Sequence, residues 1–391
     1  MSHRGSVFLD EGVLDLQFVP MQLLHRNEEL RFLSSLFKFI LDAPYEMSQR
    51  AIIVGGVGTG KTVMAQRFGM NLMEEAKRRR VNARYIHVNC REVRGSLFMV
   101  IQRALRVFRP NFPDRGYSAN ELLDTMMRVL DEEDQQLVLC LDEVDALIEK
   151  EGGDALYNLT RVQEERMEGA RRLNIICISK DPEIFRSLDR STLSTLQRNV
   201  IRMSEYTGSQ LSDILISRAE LAYRSGAVSP EIIDFIGELA AHEHGDARYA
   251  IDLLWRSGKY ADTAYAREVN PEHVRKAAAT LFPVLRAEEI RRLSRHEQLV
   301  LLGIARHFLH SSEPHATTGE VETAYQVACE EYGEKPRGHT QFWKYLNTLS
   351  SLDAVNTKLH ASERGRTQQV SLAKIPAEEL DREVTKIIEQ G

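Results

Sequence analysis

The run Gly55-Gly56-Val57-Gly58-Thr59-Gly60-Lys61-Thr62 constrains this chain more than any other stretch of its length. It fits the pattern G-x-x-x-x-G-K-[ST] and has the surroundings that pattern requires. The apolar Ile52-Ile53-Val54 before it reads as a strand, and the periodic segment 63–75 after it reads as a helix. Glycines at such a corner let backbone N–H groups turn inward and cradle phosphate oxygens at the positive end of the helix. Lys61 then reaches the outer phosphates, and the Thr62 hydroxyl is placed to ligate Mg²⁺. A second stretch supplies the rest of the chemistry. Residues 137–141 form an apolar run that ends in Asp142 and Glu143. Asp142 is expected to hold the metal, directly or through water, and Glu143 to polarise an attacking water, because a general base belongs beside the metal ligand. Two acids after an apolar strand are common by themselves. Paired with the upstream glycine loop, they predict a nucleoside triphosphatase.

The rest of the first two hundred residues supports a fold that can carry such a loop. Strand-length apolar runs at 51–54, 83–88, 137–141 and 174–178 alternate with helical patterns at 63–75, 97–108 and 119–130. That alternation predicts an α/β domain with a parallel sheet covered by helices on both faces. The segment 109–116, with Pro110, Pro113 and Gly116, reads as a loop or an irregular insertion. Beyond about residue 206 the strands stop. Segments 208–223, 230–242, 247–255 and 271–281 are all helix-patterned, and Ser229-Pro230 and Asn270-Pro271 mark two of their starts.

Composition bounds the alternatives. A chain of 391 residues with 43% hydrophobic and 28% charged residues predicts two or three folded domains and excludes whole-chain disorder. No run approaches the roughly 18 apolar residues of a membrane span. Cys90, Cys140, Cys177 and Cys329 are scattered without a C-x-x-C pair and read as buried, reduced thiols. With no apolar leader at the start, the expectation is an intracellular, cytoplasmic protein. The net charge of −6 means that any nucleic-acid contact must come from a local patch.

The last hundred residues contain such a patch. Helical patterns at 296–309, 318–332 and 340–352 are followed by a hairpin pattern at 354–359 and 368–372, the element order of a winged helix. On the third helix Phe342, Tyr345, Leu346, Leu349 and Leu352 share one face and are expected in the core. Gln341, Lys344, Thr348 and Ser351 fall on other faces. Between Lys335 and Lys374 lie seven basic residues and only Asp353 and Glu363, a local charge of +5. Candidate DNA contacts are Arg337, Thr340, Gln341 and Lys344, with Arg364, Gly365 and Arg366 at the hairpin tip aimed at a minor groove. A solvated basic face would have the same composition. The basic run 77–80 ends a helix, where positive charge suits the macrodipole, and reads as structural.

Together these features resemble the archaeal Orc1/Cdc6 family of AAA+ replication initiators over about residues 7–372. Phe18-Val19-Pro20 through His25-Arg26-Asn27-Glu28-Glu29-Leu30 is similar to that family's entry motif, which implies that His25 and Arg26 lie against the adenine. Leu141-Asp142-Glu143-Val144-Asp145 has the family's form of the acidic motif. Gly245-Asp246-Ala247-Arg248 resembles its lid motif, which implies that Arg248 is the sensor 2 arginine on the γ-phosphate. The resemblance implies a base domain at 1–205, a helical lid at 206–284 and a winged helix at 285–391. It also implies DNA contact from the insertion, for which Arg115 is the candidate.

Two positions depart from the family's pattern. The sensor 1 asparagine is replaced in Ile178-Ser179-Lys180-Asp181, so Lys180 takes that place and turnover is expected to be slow. The family's Asp-Pro-Arg is absent from Leu188-Asp189-Arg190, which makes Arg190 the first candidate for an arginine finger and Arg198 the second. The implied function is an ATP-dependent initiator that binds origin duplex DNA and helps recruit or load the replicative helicase. Its implied cofactors are ATP or ADP with Mg²⁺, and its implied partners include other copies or paralogues. Two alternatives stay open: a DNA-binding regulator that uses ATP as a switch with little turnover, and a protein-remodelling ATPase whose winged helix docks protein.

Overall fold

The computed structural model describes residues 5–163, 169–196, 199–281, 287–362, 365–372 and 375–390. The chain forms two compact units, Val19–Tyr206, and Met1–Phe18 together with Thr207–Gly391.

In the first unit, β1 (Arg50–Gly55), β2 (Ala83–Asn89), β3 (Gln136–Asp142), β4 (Leu173–Ser179) and β5 (Val200–Met203) make one parallel sheet in the order β2-β3-β4-β1-β5. β3 and β4 are buried at every residue, as strands covered on both faces must be. Their alternate side chains feed two cores. On one face Ile53, Val138, Cys140 and Ile176 pack with α1 (Asn27–Leu36), α2 (Phe39–Asp42) and α3 (Lys61–Arg79) through Leu33, Ile40, Met64 and Phe68. On the other, Ile52, Leu139, Leu141 and Ile175 meet α4 (Leu97–Phe108), α5 (Ala119–Glu132), α6 (Asp145–Glu151), α7 (Asp154–Arg161) and α8 (Arg190–Leu196). The four apolar runs are β1 to β4. β5, absent from the sequence reading, is four residues long and alternates exposed with buried positions, too short a signal to stand out.

Residues 109–118 form turns rather than a helix. Pro110 and Pro113 cannot donate within a helix, and Gly116 sits at φ +102°. In the basic run 77–80, Arg78 pairs with Glu75, and Arg79 with Glu75 and Asp42.

The second unit opens with α9 (Gly208–Ala222), α10 (Pro230–His242), α11 (Ala247–Thr263) and α12 (Pro271–Leu281). Thr207, Ser229 and Asp246 cap the first three through side-chain oxygens. Residues 5–18, assigned to the base domain by the sequence reading, group with these helices. Phe8 pairs with Tyr223, Val7 N–H donates to Asp262, and Arg218 donates to the Val13 and Phe18 carbonyls. Gly258 makes room for this, because a Cβ there would lie 2.3 Å from the Phe8 ring.

The winged helix follows: α13 (Ala287–Arg292), α14 (Arg295–His310), β6 (Ala316–Thr317), α15 (Thr318–Glu331), α16 (His339–Ser351), β7 (Asn356–Ser362), β8 (Gly365–Ser371) and α17 (Ala377–Gln390), with the sheet ordered β6-β8-β7. Phe342, Leu346 and Leu349 are buried as expected, and Tyr345 is half-buried. Leu352 corrects the expectation, being 42% exposed because it caps the end of α16 rather than continuing its inner stripe. All four cysteines are buried and free. Among the described residues no helix is long and apolar enough to cross a membrane.

Candidate functional site

The phosphate loop runs from the carboxyl end of β1, which lies between β4 and the edge strand β5, into the first turn of α3. Gly58 and Gly60 take positive φ, +72° and +89°, which turns the loop back over the helix start. Gly55 tolerates no side chain, since a Cβ would meet the Met203 carbonyl at 2.4 Å. Thr59 closes the loop by donating to the Gly56 carbonyl at 3.0 Å. Lys61 folds back over it, its Nζ donating to the Gly55 and Gly56 carbonyls at 2.7 and 2.6 Å.

β3 delivers the acids. The Thr62 hydroxyl donates to Asp142 Oδ2 at 2.8 Å, joining motif halves 80 residues apart in the chain. The Asp142 carboxylate takes two further hydrogen bonds, from His87 Nε2 to Oδ2 at 3.0 Å and from the Glu143 N–H to Oδ1 at 2.9 Å. Burial would push the Asp142 carboxyl up, but His87 and Thr62 outweigh it and hold its pKa below the ordinary carboxylate range. Burial likewise opposes charge on His87. The neighbouring Cys140 sulfur and the Asp142 carboxylate overcome it and raise the imidazole to about 10. Tyr85 backs the ring, its hydroxyl 3.1 Å from His87 Nδ1. Glu143 sits at φ +50°, and its carboxylate is 3.4 Å from Arg91 Nε.

His87 and Arg91 were missed from the sequence. The available signal was a histidine in the otherwise apolar Ile86-His87-Val88, on the strand neighbouring the acids.

Arg26 is buried and acts on the loop's backbone: its Nε donates to the Thr59 carbonyl at 3.0 Å and to the Tyr206 hydroxyl at 3.1 Å, and Nη2 to the Ser204 carbonyl. Its guanidinium stacks on the Tyr206 ring at 4.0 Å. His25 is exposed, in a left-handed conformation. Lys180 is exposed just past β4, where Ser179 accepts from Asp181 N–H and donates to Asp145. Arg190 is exposed on the first turn of α8, which Asp189 caps through Ser191 and Thr192. Arg198 lies outside the described residues. Arg248 is exposed on the first turn of α11, in the second unit.

On the winged helix Thr340 and Lys344 are exposed on α16, while Gln341 is half-buried. Gly365 and Arg366 lie on β8 opposite Ser362 and Ala361 of β7. Arg364 lies outside the described residues. Arg115, in the first unit, is exposed in the turn segment.

Three family models match in sequence order: an AAA domain at residues 47–179, a Cdc6 AAA+ ATPase-type lid domain at 212–279 and a CDC6 C-terminal winged helix domain at 288–382. The ORC1-type DNA replication protein 2 of Sulfurisphaera tokodaii is 33% identical over 387 residues, covering 97% of this chain and 92% of the relative. Among solved structures, Cdc6p from Pyrobaculum aerophilum superposes with a TM-score of 0.88 at 31% identity, covering 98% of this chain and 99% of that one. The Aeropyrum pernix Orc1 protein in complex with DNA gives 0.64 at 29% identity, covering 98% and 97%. The Aeropyrum pernix ORC2 protein in its ADPNP–ADP complexes gives 0.64 at 26%, covering 98% of each.

Proposed function

Because the chain belongs to the Orc1/Cdc6 family of archaeal replication initiators, we propose that its two units divide that work as a nucleotide-controlled grip on origin duplex DNA. The fold is the AAA+ sheet with a Cdc6-type lid and a winged helix, and the function is origin-binding replication initiation. The chain binds nucleotide. One observation carries the reading furthest. A complete phosphate site, with Thr62 2.8 Å from Asp142, shares one chain with a helix-turn-helix module that exposes Thr340 and Lys344.

In the nucleotide site Lys61 leaves the Gly55 and Gly56 carbonyls for the outer phosphates, and the loop N–H groups hold the inner ones. The Thr62 hydroxyl and the Asp142 carboxylate are hard oxygen donors, the set that Mg²⁺ prefers, and would hold that ion to offset phosphate charge. Glu143 orients and polarises a water once it is free of Arg91. Arg248 would sense the γ-phosphate from the lid, and Arg190 would act on a neighbouring protomer's nucleotide. His25 would border the base, with Arg26 keeping the loop in shape beneath it.

On DNA, α16 would enter the major groove with Thr340, Gln341 and Lys344, and the wing would add Arg364, Gly365 and Arg366. Arg337 and Arg115 would supply phosphate contacts. Partners beyond DNA are further copies or paralogues and the replicative helicase, which the bound chain would help recruit. Lys180 favours a second reading, a DNA-binding regulator with little turnover, because an ammonium at this position cannot accept a hydrogen bond from the attacking water.

The test is duplex binding by the full chain with ATP, ADP or no nucleotide. The proposal expects affinity or footprint to change with nucleotide, and binding to weaken in Lys344→Ala. Nucleotide-independent binding that Lys344→Ala leaves intact would contradict it.

A further inference from the structure

The turn before α16 carries an arginine whose inner and outer faces are used differently. Arg337 is exposed, yet its Nε donates to Nε2 of His296 at 3.0 Å, and its backbone N–H donates to the Tyr325 hydroxyl at 3.1 Å. His296, on α14, and Tyr325, on α15, are both buried in the core of the winged helix, and His296 Nδ1 lies 2.8 Å from the same hydroxyl. Tyr345 of α16 stacks on the His296 ring with planes 9° apart, and Tyr325 stacks on Phe342 of the same helix. Three helices thus lock the imidazole in place. Among the described residues no partner meets the two Nη groups of Arg337.

The tautomer is determined by the donors. A guanidinium can only donate, so His296 Nε2 must be the unprotonated acceptor, and Nδ1 carries the hydrogen that it gives to Tyr325. Burial and the Arg337 charge both lower the His296 pKa, against a smaller opposing effect from Glu334, so the accepting form is the one favoured at neutral pH. An arginine held by Nε keeps its outer pair of nitrogens parallel and facing outward, the geometry that meets two oxygens of one phosphate. A lysine ammonium has three donors but one nitrogen, so it cannot span the separation between the Nε and outer Nη positions that the two partners require.

Resting on the DNA-binding reading above, we propose that His296 is a positioning residue for DNA recognition. It holds Arg337 by its Nε so that the free end of the guanidinium grips a backbone phosphate at the head of α16. The contact fixes the register of α16 on the duplex rather than reading a base. Its signature is therefore a loss of affinity common to all sequences and a flatter salt dependence.

The experiment measures duplex affinity of the full chain across a salt series, with thermal melting run beside it. Arg337→Ala and Arg337→Lys should each weaken binding about tenfold and reduce the salt slope, by about one for the alanine variant. His296→Leu should weaken binding to the same degree in the wild-type background and not at all in an Arg337→Ala background. His296→Gln, which keeps an acceptor, should restore most of the affinity. Equal losses from His296→Leu with and without Arg337 would overturn the assignment, as would Arg337→Lys binding like wild type. Lys344→Ala separates the two levels of the argument. If it weakens binding while Arg337→Ala does not, the DNA reading stands and this assignment falls. If the wild-type chain fails to bind duplex, both fall.

Discussion

At the phosphate site Arg26, Lys61, Thr62 and Asp142 are each held by hydrogen bonds within the protein, whereas on the winged helix Thr340 and Lys344 stand exposed on one helix. Asp142 alone takes hydrogen bonds from Thr62, His87 and the Glu143 N–H. The difference reflects what each surface must do. Phosphoryl chemistry needs groups positioned to fractions of an ångström, which requires interlocked supports. Grip on a duplex is a sum of separable charge contacts, and each can be lost without unmaking the rest. Changes at the first surface should therefore be large and non-additive, and changes at separate contacts of the second small and additive, the coupled Arg337–His296 pair excepted.

The largest expected effect comes from Lys61→Ala, which should reduce nucleotide affinity about a hundredfold by calorimetry, since a charge-assisted hydrogen bond contributes about 3 kcal/mol. DNA affinity without nucleotide should not change, and a parallel loss there would erase the distinction between the two surfaces. Arg26→Ala should cost about 3 kcal/mol in denaturant unfolding, because it removes a buried charge that ties the loop to Tyr206 and Ser204. Nucleotide affinity should fall with it.

His87→Gln sharpens the picture through pH. The folded-state pKa of His87 is raised to about 10 from 6.5, so its contribution is fully present below about pH 6.5 and is lost as pH rises toward 10. The stability gap between wild type and His87→Gln, about 2 kcal/mol in charge-assisted hydrogen bonding at its widest, should close across that window in thermal melts. A gap that is flat with pH would mean the imidazole is not charged beside Asp142. Lys344→Ala should weaken duplex binding about tenfold, independently of the phosphate-site variants. Smallest of all, Lys180→Asn should raise steady-state hydrolysis a few-fold at unchanged nucleotide affinity. No gain would remove the support that Lys180 lends to slow turnover.

The same contrast explains what could be read from residues alone. The glycine loop was legible because its spacing is dictated by backbone geometry around a phosphate, and Asp142 and Glu143 because they end an apolar strand. β1, β3 and β4 were legible as largely buried apolar runs, and the edge strand β2 through the apolar side chains of its alternating pattern. Helix bounds at Pro230–His242 and Pro271–Leu281 were legible because a polar residue before a proline marks each start. β5 and β6 were not, being four and two residues long. α17 was legible in principle, because Leu380, Val384, Ile387 and Ile388 recur at helical spacing, but it lies beyond the winged-helix hairpin, and only its packing on α14 depends on tertiary structure. His87, Arg91 and His296 escaped for a related reason. Each acts across strands or helices, through partners distant in the chain, and such contacts leave no spacing to recognise.

The most direct test of the central claim is the ratio of affinities for intergenic duplexes of the source genome and random duplexes of equal length, near physiological salt and with nucleotide bound. An origin-binding initiator should favour a few intergenic sites by about a thousandfold or more. Equal and weak binding to every duplex, with nucleotide still bound tightly, would contradict the account and assign the winged helix to a protein partner.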